Sequence, residues 1–177
     1  MKTHEFDLCG QCLHLLLNGQ ALFDLYDKFG TDGFLTDALE GSGKQSFEAV
    51  CTFLAKLSEQ GELWRRWQGM ERGPILPEAW FRVHLAPRDV AAAKRAILEA
   101  VRLGFAREAE EPHDIDLGLL ELQKKNGSGK LRRVTWLQLL TQFLRLGVRE
   151  GMLLTPGEVL DLQELEITRR GLKREGE

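Results

Sequence analysis

The sequence has few cysteines, no long apolar stretch and no excess of charge of one sign, and each absence disfavours a class of protein. Three cysteines (Cys9, Cys12 and Cys51) are not a disulfide framework and are typical of a reducing cytosol. No apolar run approaches the roughly 18 residues that a membrane helix requires. The N-terminus has no basic region followed by a long apolar one, so we expect no signal peptide and a soluble intracellular protein.

The charge balance is nearly even. The chain has 24 Lys and Arg against 27 Asp and Glu, and the net charge of -3 does not favour bulk attraction to nucleic acid or to a membrane. With 177 residues, 43% of them hydrophobic, it is long enough for one ample domain or for one domain with a small appendage.

Familiar catalytic and cofactor motifs are also missing. The sequence has no G-x-S-x-G, no dinucleotide fingerprint, and no pair of histidines at helical metal-binding spacing among its four. "GSGK" occurs at 41–44 and 127–130, but both copies lack the Ser or Thr and the first glycine of a phosphate-binding loop. We therefore predict no enzymatic activity, no cofactor and no metal.

Residues 4–17 alternate in a way that predicts a β-hairpin. Glycine at the first position of a two-residue loop is typical of a type II′ turn, which would place the turn at Gly10-Gln11. That register pairs Cys9 with Cys12 and Leu8 with Leu13. The two faces would then be one apolar and one mostly polar set: Phe6, Leu8, Leu13, Leu15 and Leu17 against Glu5, Asp7, Cys9, Cys12, His14 and Leu16.

The same register leaves a second interpretation of the C-x-x-C open. Cys9, Cys12 and His14 would share one face, with Asp7 opposite His14, and zinc accepts these ligand types. Structural zinc sites usually draw a second ligand pair from elsewhere, and redox C-x-x-C motifs lie at a helix N-terminus. We interpret the cysteines as turn-flanking residues and keep a small zinc-binding protein as an alternative.

Beyond the hairpin the apolar spacing becomes helical. Helices are predicted after Asn18-Gly19 up to Gly30, at about 44–60, 62–70 and 87–108, at 135–147, and from near Thr155. The helix from Pro87 should bury one stripe: Val90, Ala93, Ile97, Leu98 and Val101. Cys51 falls on the apolar stripe of its helix and should be a small core residue.

These elements predict an α+β fold that is mainly α. An N-terminal β-hairpin packs on a helical domain, followed by a small helical C-terminal module. "KKNGSGK" has the composition of a flexible linker. The predicted division is residues 1–123 for the domain, 124–130 for the linker, and 131–177 for the module with its disordered tail.

Two segments are candidates for binding a partner. In "LWRRWQ", Trp64 and Trp67 lie three apart on a helix beside two arginines, residue types that are enriched at protein–protein hot spots but that also stack on single-stranded nucleic acid. In "LTPGE", Thr155 is placed to cap a helix with Glu158 closing a capping box. The predicted partner-binding residues are Trp64, Trp67, Trp136, Leu139, Leu140, Leu153, Leu154, Thr155, Pro156, Glu158, Val159 and Leu162.

Several of these features together resemble the tail assembly chaperones of long-tailed, siphovirus-type bacteriophages. "HEFDLCGQCLHLLLNGQALFDLYDKFG" is similar to that family's start, and "TDGFLTDALEGSGKQSFEAVCTFLAKLSEQGE" is similar to its next element, a loop and a helix that covers the hairpin. "TWLQLLTQFLRLGVREGMLLTPGEVLDLQELE" resembles the C-terminal segment of longer forms, and "LTPGE" is its most specific part.

The resemblance implies a non-enzymatic role in the cytoplasm of the host bacterium. Such chaperones coat the tape measure protein, help to recruit tail tube subunits and are absent from the mature virion. The implied partners are therefore the tape measure and tail tube proteins, and self-association is compatible with this role. Neither nucleic acid nor a membrane is an expected partner. "QKKNGSGK" lies where a frameshift junction joins the short and long forms in many such phages.

This interpretation makes a prediction about the C-terminal module. Deleting residues 131–177 should leave the first domain folded but abolish recruitment of tail proteins. Undiminished co-purification of tail proteins with the shortened chain would contradict it.

Overall fold

A two-stranded antiparallel sheet, β1 (His4–Leu8) and β2 (Gln11–Leu15), opens the chain. The computed structural model describes residues 3–30, 41–108 and 133–169, and every structural statement below concerns these residues. Seven α-helices follow in this part of the chain: α1 (Gly19–Phe29), α2 (Lys44–Trp67), α3 (Glu78–His84), α4 (Val90–Phe105), α5 (Arg133–Gln138), α6 (Val148–Leu153) and α7 (Pro156–Arg169). The predicted fold class, α+β and mainly α, is confirmed.

The hairpin forms as predicted, but its turn lies one residue earlier. Cys9 and Gly10 occupy the loop, with φ angles of 51° and 76°, and positive φ at both positions is the signature of a type I′ turn. Leu8 therefore pairs with Gln11 and Phe6 with Leu13, so the predicted register was wrong. Moving the turn by one residue shifts the strand pairing by two residues, and a shift of two leaves every side chain on the same face of the sheet. Leu8, Leu13 and Leu15 are therefore still buried together as expected.

Helix α1 has the boundaries that its flanking residues predict. The side chain of Asn18 accepts a hydrogen bond from the backbone N–H of Ala21 at 2.9 Å and so caps the helix N-terminus. Gly30 ends the helix with a φ of 78°, and its N–H donates to the carbonyl of Tyr26. Asn18 is fully buried, so this cap lies inside the protein.

Helix α2 corrects the prediction of two separate helices at 44–60 and 62–70. It is one helix of 24 residues that continues through Gly61. It ends in a Schellman motif: the N–H of Met70 donates to the carbonyl of Arg65, the N–H of Gly69 donates to that of Arg66, and Gly69 has a φ of 75°. Cys51 lies in the core as predicted, and burial raises the pKa of its thiol to about 11.

The remaining helices depart from prediction in three places. Helices α3 and α6 were not predicted, and both are only six or seven residues long, too short for a periodic pattern to be distinct. A 3-10 turn, Pro87–Asp89, precedes α4, and Leu98 of that helix is 51% exposed rather than part of the buried stripe. The helix predicted at 135–147 is α5 followed by a π-helical turn, Leu139–Phe143.

Residues 16–19, which are the connection from β2 to α1 and the first residue of α1, are held by three other parts of the chain. The N–H of Leu16 donates to the carbonyl of Leu57 in α2 at 3.0 Å, and the N–H of Gly19 donates to that of Leu154 at 2.9 Å. In α4, Gly104 lies so close to Leu17 that an added Cβ would come within 2.7 Å of the Leu17 side chain. We call residues 16–19 the junction.

Helix α2 crosses β2 beside the junction with almost no space between the backbones. A Cβ at Gly61 would lie 1.7 Å from the carbonyl oxygen of His14, so only glycine permits this approach. At the preceding residue of α2, the side-chain oxygen of Gln60 accepts a buried hydrogen bond from the Asn18 amide at 3.1 Å. The crossing of α2 over β2 is thus stabilised by the close backbone approach at Gly61 and by the hydrogen bond between Asn18 and Gln60.

Residues 133–169 share one hydrophobic core with the N-terminal elements. Trp136 is 1% exposed and meets the ring of Phe23 edge-on at 5.9 Å, and Val159 is fully buried. Arg107, just after α4, bonds Asp161 at 2.9 Å and also Glu164, both in α7. The predicted linker, 124–130, and the predicted tail lie outside the described residues.

This packing corrects the expected result of deleting residues 131–177. The deletion would remove Trp136, Leu140, Met152 and Val159 from the core and would expose Phe23. Core truncations of single large side chains already cost about 2–5 kcal/mol each, which is comparable to the whole stability of a domain. The chain without residues 131–177 should therefore not stay folded.

A test of the crossing is Gly61→Ala. Alanine usually stabilises a helix interior by about 1 kcal/mol relative to glycine, but here its Cβ would press on the His14 carbonyl. We expect a net loss of roughly 1–3 kcal/mol in the free energy of unfolding, measured by urea denaturation. Gln45→Ala, at an exposed position of the same helix, should change it by less than about 0.5 kcal/mol. A stabilised Gly61→Ala protein would contradict the close contact.

Candidate functional site

Five of the predicted partner-binding residues are buried by their own chain. Trp136, Leu140 and Val159 belong to the core, and Thr155 and Pro156 are buried at the start of α7. Leu139 and Leu154 are partly buried and pack against the same core. The expectation that these side chains face a partner is therefore corrected: in this structure they join α5, α6 and α7 to the rest of the fold.

The capping box predicted in "LTPGE" is confirmed. The N–H of Thr155 donates to the Glu158 carboxylate at 2.8 Å, and the N–H of Glu158 donates to the Thr155 hydroxyl at 3.3 Å. Gly157 approaches the Ala106 carbonyl oxygen so closely that an added Cβ would lie 2.1 Å from it. The most specific part of the motif thus also has a structural role, because it lets α7 start against the end of α4.

Four of the predicted residues meet in one cleft. Its apolar lining residues are Trp64 of α2, Leu16 and Leu153, and its polar lining residues are Thr3, Glu108, Thr155 and Glu158. The volume is about 160 Å³, and we refer to it below as the Trp64 cleft. Its residues come from five separate stretches of sequence, so only folding brings them together.

Trp67, by contrast, points away from the cleft and is 70% exposed. Three helical residues turn through about 300°, so Trp64 and Trp67 lie roughly 60° apart around the helix, and of the two only Trp64 is among the residues that line the cleft. Leu63, four residues before Trp67, is 38% exposed, and Met70 just after the helix is 39% exposed. With Ile75, 40% exposed in the following loop, these residues form what we call the α2-end patch.

One buried carboxylate organises the loop beside that patch. Glu62 accepts hydrogen bonds from Arg66 at 2.9 Å, from Arg65 at 3.3 Å and from the N–H of Gly73 at 2.6 Å. Arg66 also donates to the Gly73 carbonyl at 2.8 Å. Burial by itself would raise the pKa of Glu62, but these hydrogen bonds and the two positive charges outweigh it and hold the pKa below its usual range.

The same contacts bear on the nucleic-acid alternative. Phosphate recognition requires arginines that can turn their guanidinium groups outward. Arg65 and Arg66 instead bond one carboxylate of their own helix, and their side chains are only 20% and 33% exposed. "LWRRWQ" therefore presents an exposed tryptophan rather than a row of stacked aromatics flanked by outward arginines.

The N-terminal cysteines are exposed, and the corrected register moves Cys9 out of the strand pairing into the turn, so it no longer lies opposite Cys12. Asp7 lies opposite Cys12 and Glu5 opposite His14, and Cys9 is in the turn, where its thiol donates to the His84 carbonyl at 3.6 Å. Burial and the carboxylates of Asp7 and Glu5 raise the pKa of Cys12, which disfavours the metal-binding thiolate. Within the described ranges, no three or more His, Cys, Asp and Glu side chains are grouped to hold a metal ion.

A second, apolar groove lies on α7. Leu162, one of the predicted residues, lines it with Leu144, Leu146 and Leu165, and its volume is about 160 Å³. The ion pair between Arg169 and Glu166 closes one side. Leu165 is 66% exposed, so most of its side chain is in solvent.

Comparisons with known proteins add no relative. No family model, no curated protein and no solved structure matches this chain. In the described part of the chain, no helix is both long enough and apolar enough to cross a membrane.

Sequence reasoning missed Leu63, Met70 and Ile75. Leu63, Trp67 and Met70 recur at intervals of four and three residues, which is the helical pattern that marks one face. The predicted helix 62–70 contained all three residues, but its interpretation considered only the tryptophans and arginines. Ile75 lies two residues after Gly73, whose N–H bonds Glu62 and so joins the loop to the helix.

The Glu62 cluster predicts an acid-sensitive stability. A carboxylate whose pKa is lowered on folding stabilises the protein above its unfolded pKa, about 4.3, and this contribution is lost as pH falls through the lower folded value. Glu62→Gln should lower the free energy of unfolding by about 1–3 kcal/mol at pH 7 and flatten its decline between about pH 5 and 3. Urea denaturation at several pH values measures both effects.

Glu99→Gln is the matched control. Glu99 also pairs with an arginine three residues away, at 2.7 Å, but on an exposed helix face. Such pairs contribute less than about 1 kcal/mol, so this variant should resemble the wild type at pH 7. Equal losses in the two variants would contradict a special role for Glu62.

Proposed function

We propose that this chain is a tail assembly chaperone of a long-tailed bacteriophage or prophage. It binds the tape measure protein during assembly, helps to recruit tail tube subunits, and has no catalytic role. It acts in the cytoplasm of the host bacterium and is absent from the mature virion. The support is the resemblance of three long sequence segments to that family, together with a surface suited to binding protein.

The observation that carries the proposal is the α2-end patch. Soluble proteins rarely leave a tryptophan 70% exposed, and large exposed apolar side chains of this kind are typical of interaction sites. Tryptophan is also the residue type most enriched among binding hot spots. A holding chaperone requires such a surface more than it requires a cleft with reactive acids.

The structure changes which residues we assign to partner binding. The predicted C-terminal side chains Trp136, Leu140 and Val159 stabilise the fold, so the binding surface moves to the end of α2, where Trp67 remains. The Glu62 hydrogen bonds hold the neighbouring loop in place, so the patch is organised before a partner arrives. Preorganisation of this kind reduces the conformational entropy lost on binding.

The test is co-expression with the tape measure protein of the phage or prophage whose genome encodes this chain. We expect the wild type to keep the tape measure protein soluble and to form a complex with it. Trp67→Ser should weaken that complex by roughly 30-fold or more, the loss typical of a hot-spot truncation. The soluble fraction and the dissociation constant of the purified pair measure the effect.

Leu98→Ser is the control, because Leu98 is an apolar residue of another helix that is 51% exposed. It should bind the tape measure protein as the wild type does, and both variants should keep the wild-type thermal midpoint within a few degrees. A Trp67→Ser protein that solubilises the tape measure protein as well as Leu98→Ser would contradict the assignment of the patch.

A further inference from the structure

We propose that the outer face of α4 binds an acidic amphipathic helix of another protein. Four residues make up this face, and we call them the α4 seam: Ala91, Arg95, Leu98 and Arg102. The inference goes beyond the proposed function, because it concerns a different helix from the α2-end patch and a ligand other than the tape measure protein. Spacing, charge and composition each support it.

The α4 seam contains every exposed residue of α4 and lies on one side of the helix. Successive members are four, three and four residues apart along the sequence. At about 100° per residue, their Cα atoms fall within roughly 60° of one another around the helix axis, along about 16 Å of its length. Alternating steps of three and four residues are the spacing at which two α-helices pack along a shared stripe. The partner that fits this spacing is another helix.

The charged residues of α4 make this side of the protein positive. Three of them are basic and one is acidic: Lys94, Arg95 and Arg102 against Glu99. Lys94 donates to the carbonyl of Gly41 at 2.7 Å, which satisfies a hydrogen bond but does not neutralise the ammonium charge. Within the described ranges Arg95 has no hydrogen bond or ion pair, so its guanidinium group is available to a partner. The whole chain has a net charge of -3, so α4 is a local exception.

Arg102 already has a partner, but that pair does not withdraw it from the surface. Its guanidinium group lies 2.7 Å from the Glu99 carboxylate, and the two side chains are 58% and 46% exposed. Exposed pairs of this kind contribute little and are screened by salt. A guanidinium group has five N–H donors, so it can also bond a carboxylate of a docked helix. The α4 seam therefore offers a partner two arginines, seven residues apart.

The apolar members of the α4 seam favour a protein helix over nucleic acid. Leu98 lies between Arg95 and Arg102 and is 51% exposed. A phosphate backbone would contact the arginines but would leave Leu98 without an apolar partner. A helix with a carboxylate at every seventh residue repeats at about 10.5 Å, the same interval as the two arginines, and an apolar side chain between the carboxylates covers Leu98. Ala91 is small and permits a close approach at its end of the seam.

A second copy of α4 does not meet these requirements. Its own seam would bring two further arginines against Arg95 and Arg102, and like charges brought together in an interface repel. None of the four seam residues is acidic, so nothing in the copy would compensate them. The occupant is therefore a helix of opposite charge.

The test uses a synthetic helix as the ligand. A three-heptad peptide, stapled on its outer face so that it is helical, carries glutamate and leucine alternately along its stripe, and two versions serve the parallel and antiparallel orientations. The anisotropy of a fluorescein label reports binding to the full-length protein at low salt. The reference ligands are a scrambled peptide of the same composition and a DNA oligonucleotide of the same net charge. We expect one version of the helix to bind roughly tenfold more tightly than either reference.

Charge reversal on the protein locates the binding site. Arg95→Glu should weaken binding of the glutamate peptide by roughly tenfold, and it should bind a lysine version of the peptide more tightly than the wild type does. Leu98→Ser is a second variant and should weaken binding by roughly threefold or more, because it removes apolar contact without changing charge. Circular dichroism and the thermal midpoint check that each variant keeps the wild-type fold.

Two controls make the result decisive. Arg149→Glu, the same change at an exposed arginine of α6, and Trp67→Ser in the α2-end patch should both bind the peptide as the wild type does. Absence of saturable binding by both versions of the helix would overturn the proposal. Equal binding of the scrambled peptide, tighter binding of the DNA, or an Arg95→Glu protein that binds as Arg149→Glu does would overturn it as well.

Discussion

The junction, residues 16–19, is the constraint on which the rest of the structure depends. Its backbone N–H groups bond α2 at Leu57 and the chain after α6 at Leu154, and α4 packs on its side chains through Gly104. Three of its members, Leu16, Leu17 and Asn18, are no more than 2% exposed. These elements lie far apart in sequence but contact the same four residues. A displacement of any one element would therefore disturb the packing of the others.

Glycine makes that arrangement possible. The close approaches at Gly61, Gly104 and Gly157 each place a helix against the backbone or side chain of another segment with no room for a Cβ. Glycine in a helix interior costs about 1 kcal/mol of stability relative to alanine. Its use at three crossings implies that the close packing it permits stabilises the fold by more than this. These contacts bring the start of α7 beside Trp64 and so create the Trp64 cleft.

The two candidate binding surfaces lie at the same helix end. Trp64 lines the cleft and Trp67 is exposed to solvent, and Glu62 of the same helix fixes the loop that follows. This helix end therefore offers an apolar patch for a partner's apolar face, which agrees with the chaperone role we propose.

Local patterns predicted much of the fold because they act over a few residues. Alternation placed Leu8, Leu13 and Leu15 on one face, Asn18 and Gly30 bounded α1, and Thr155 with Glu158 formed a capping box. The hairpin register was wrong because Gly10 suits either position of a two-residue turn, and the sequence does not state which one it takes.

Sequence alone thus determined the fold class, the caps and the apolar faces of the longer elements, since side-chain periodicity and capping are local properties. Tertiary structure alone decided which apolar faces remain exposed. Trp67 and Trp136 are both tryptophans in predicted helices, and the sequence does not distinguish them. In the structure Phe23 of α1 packs on Trp136, whereas Trp67 remains exposed to solvent. The difference lies in long-range contacts such as the one between Gly19 and Leu154, and no periodicity within a single segment encodes them.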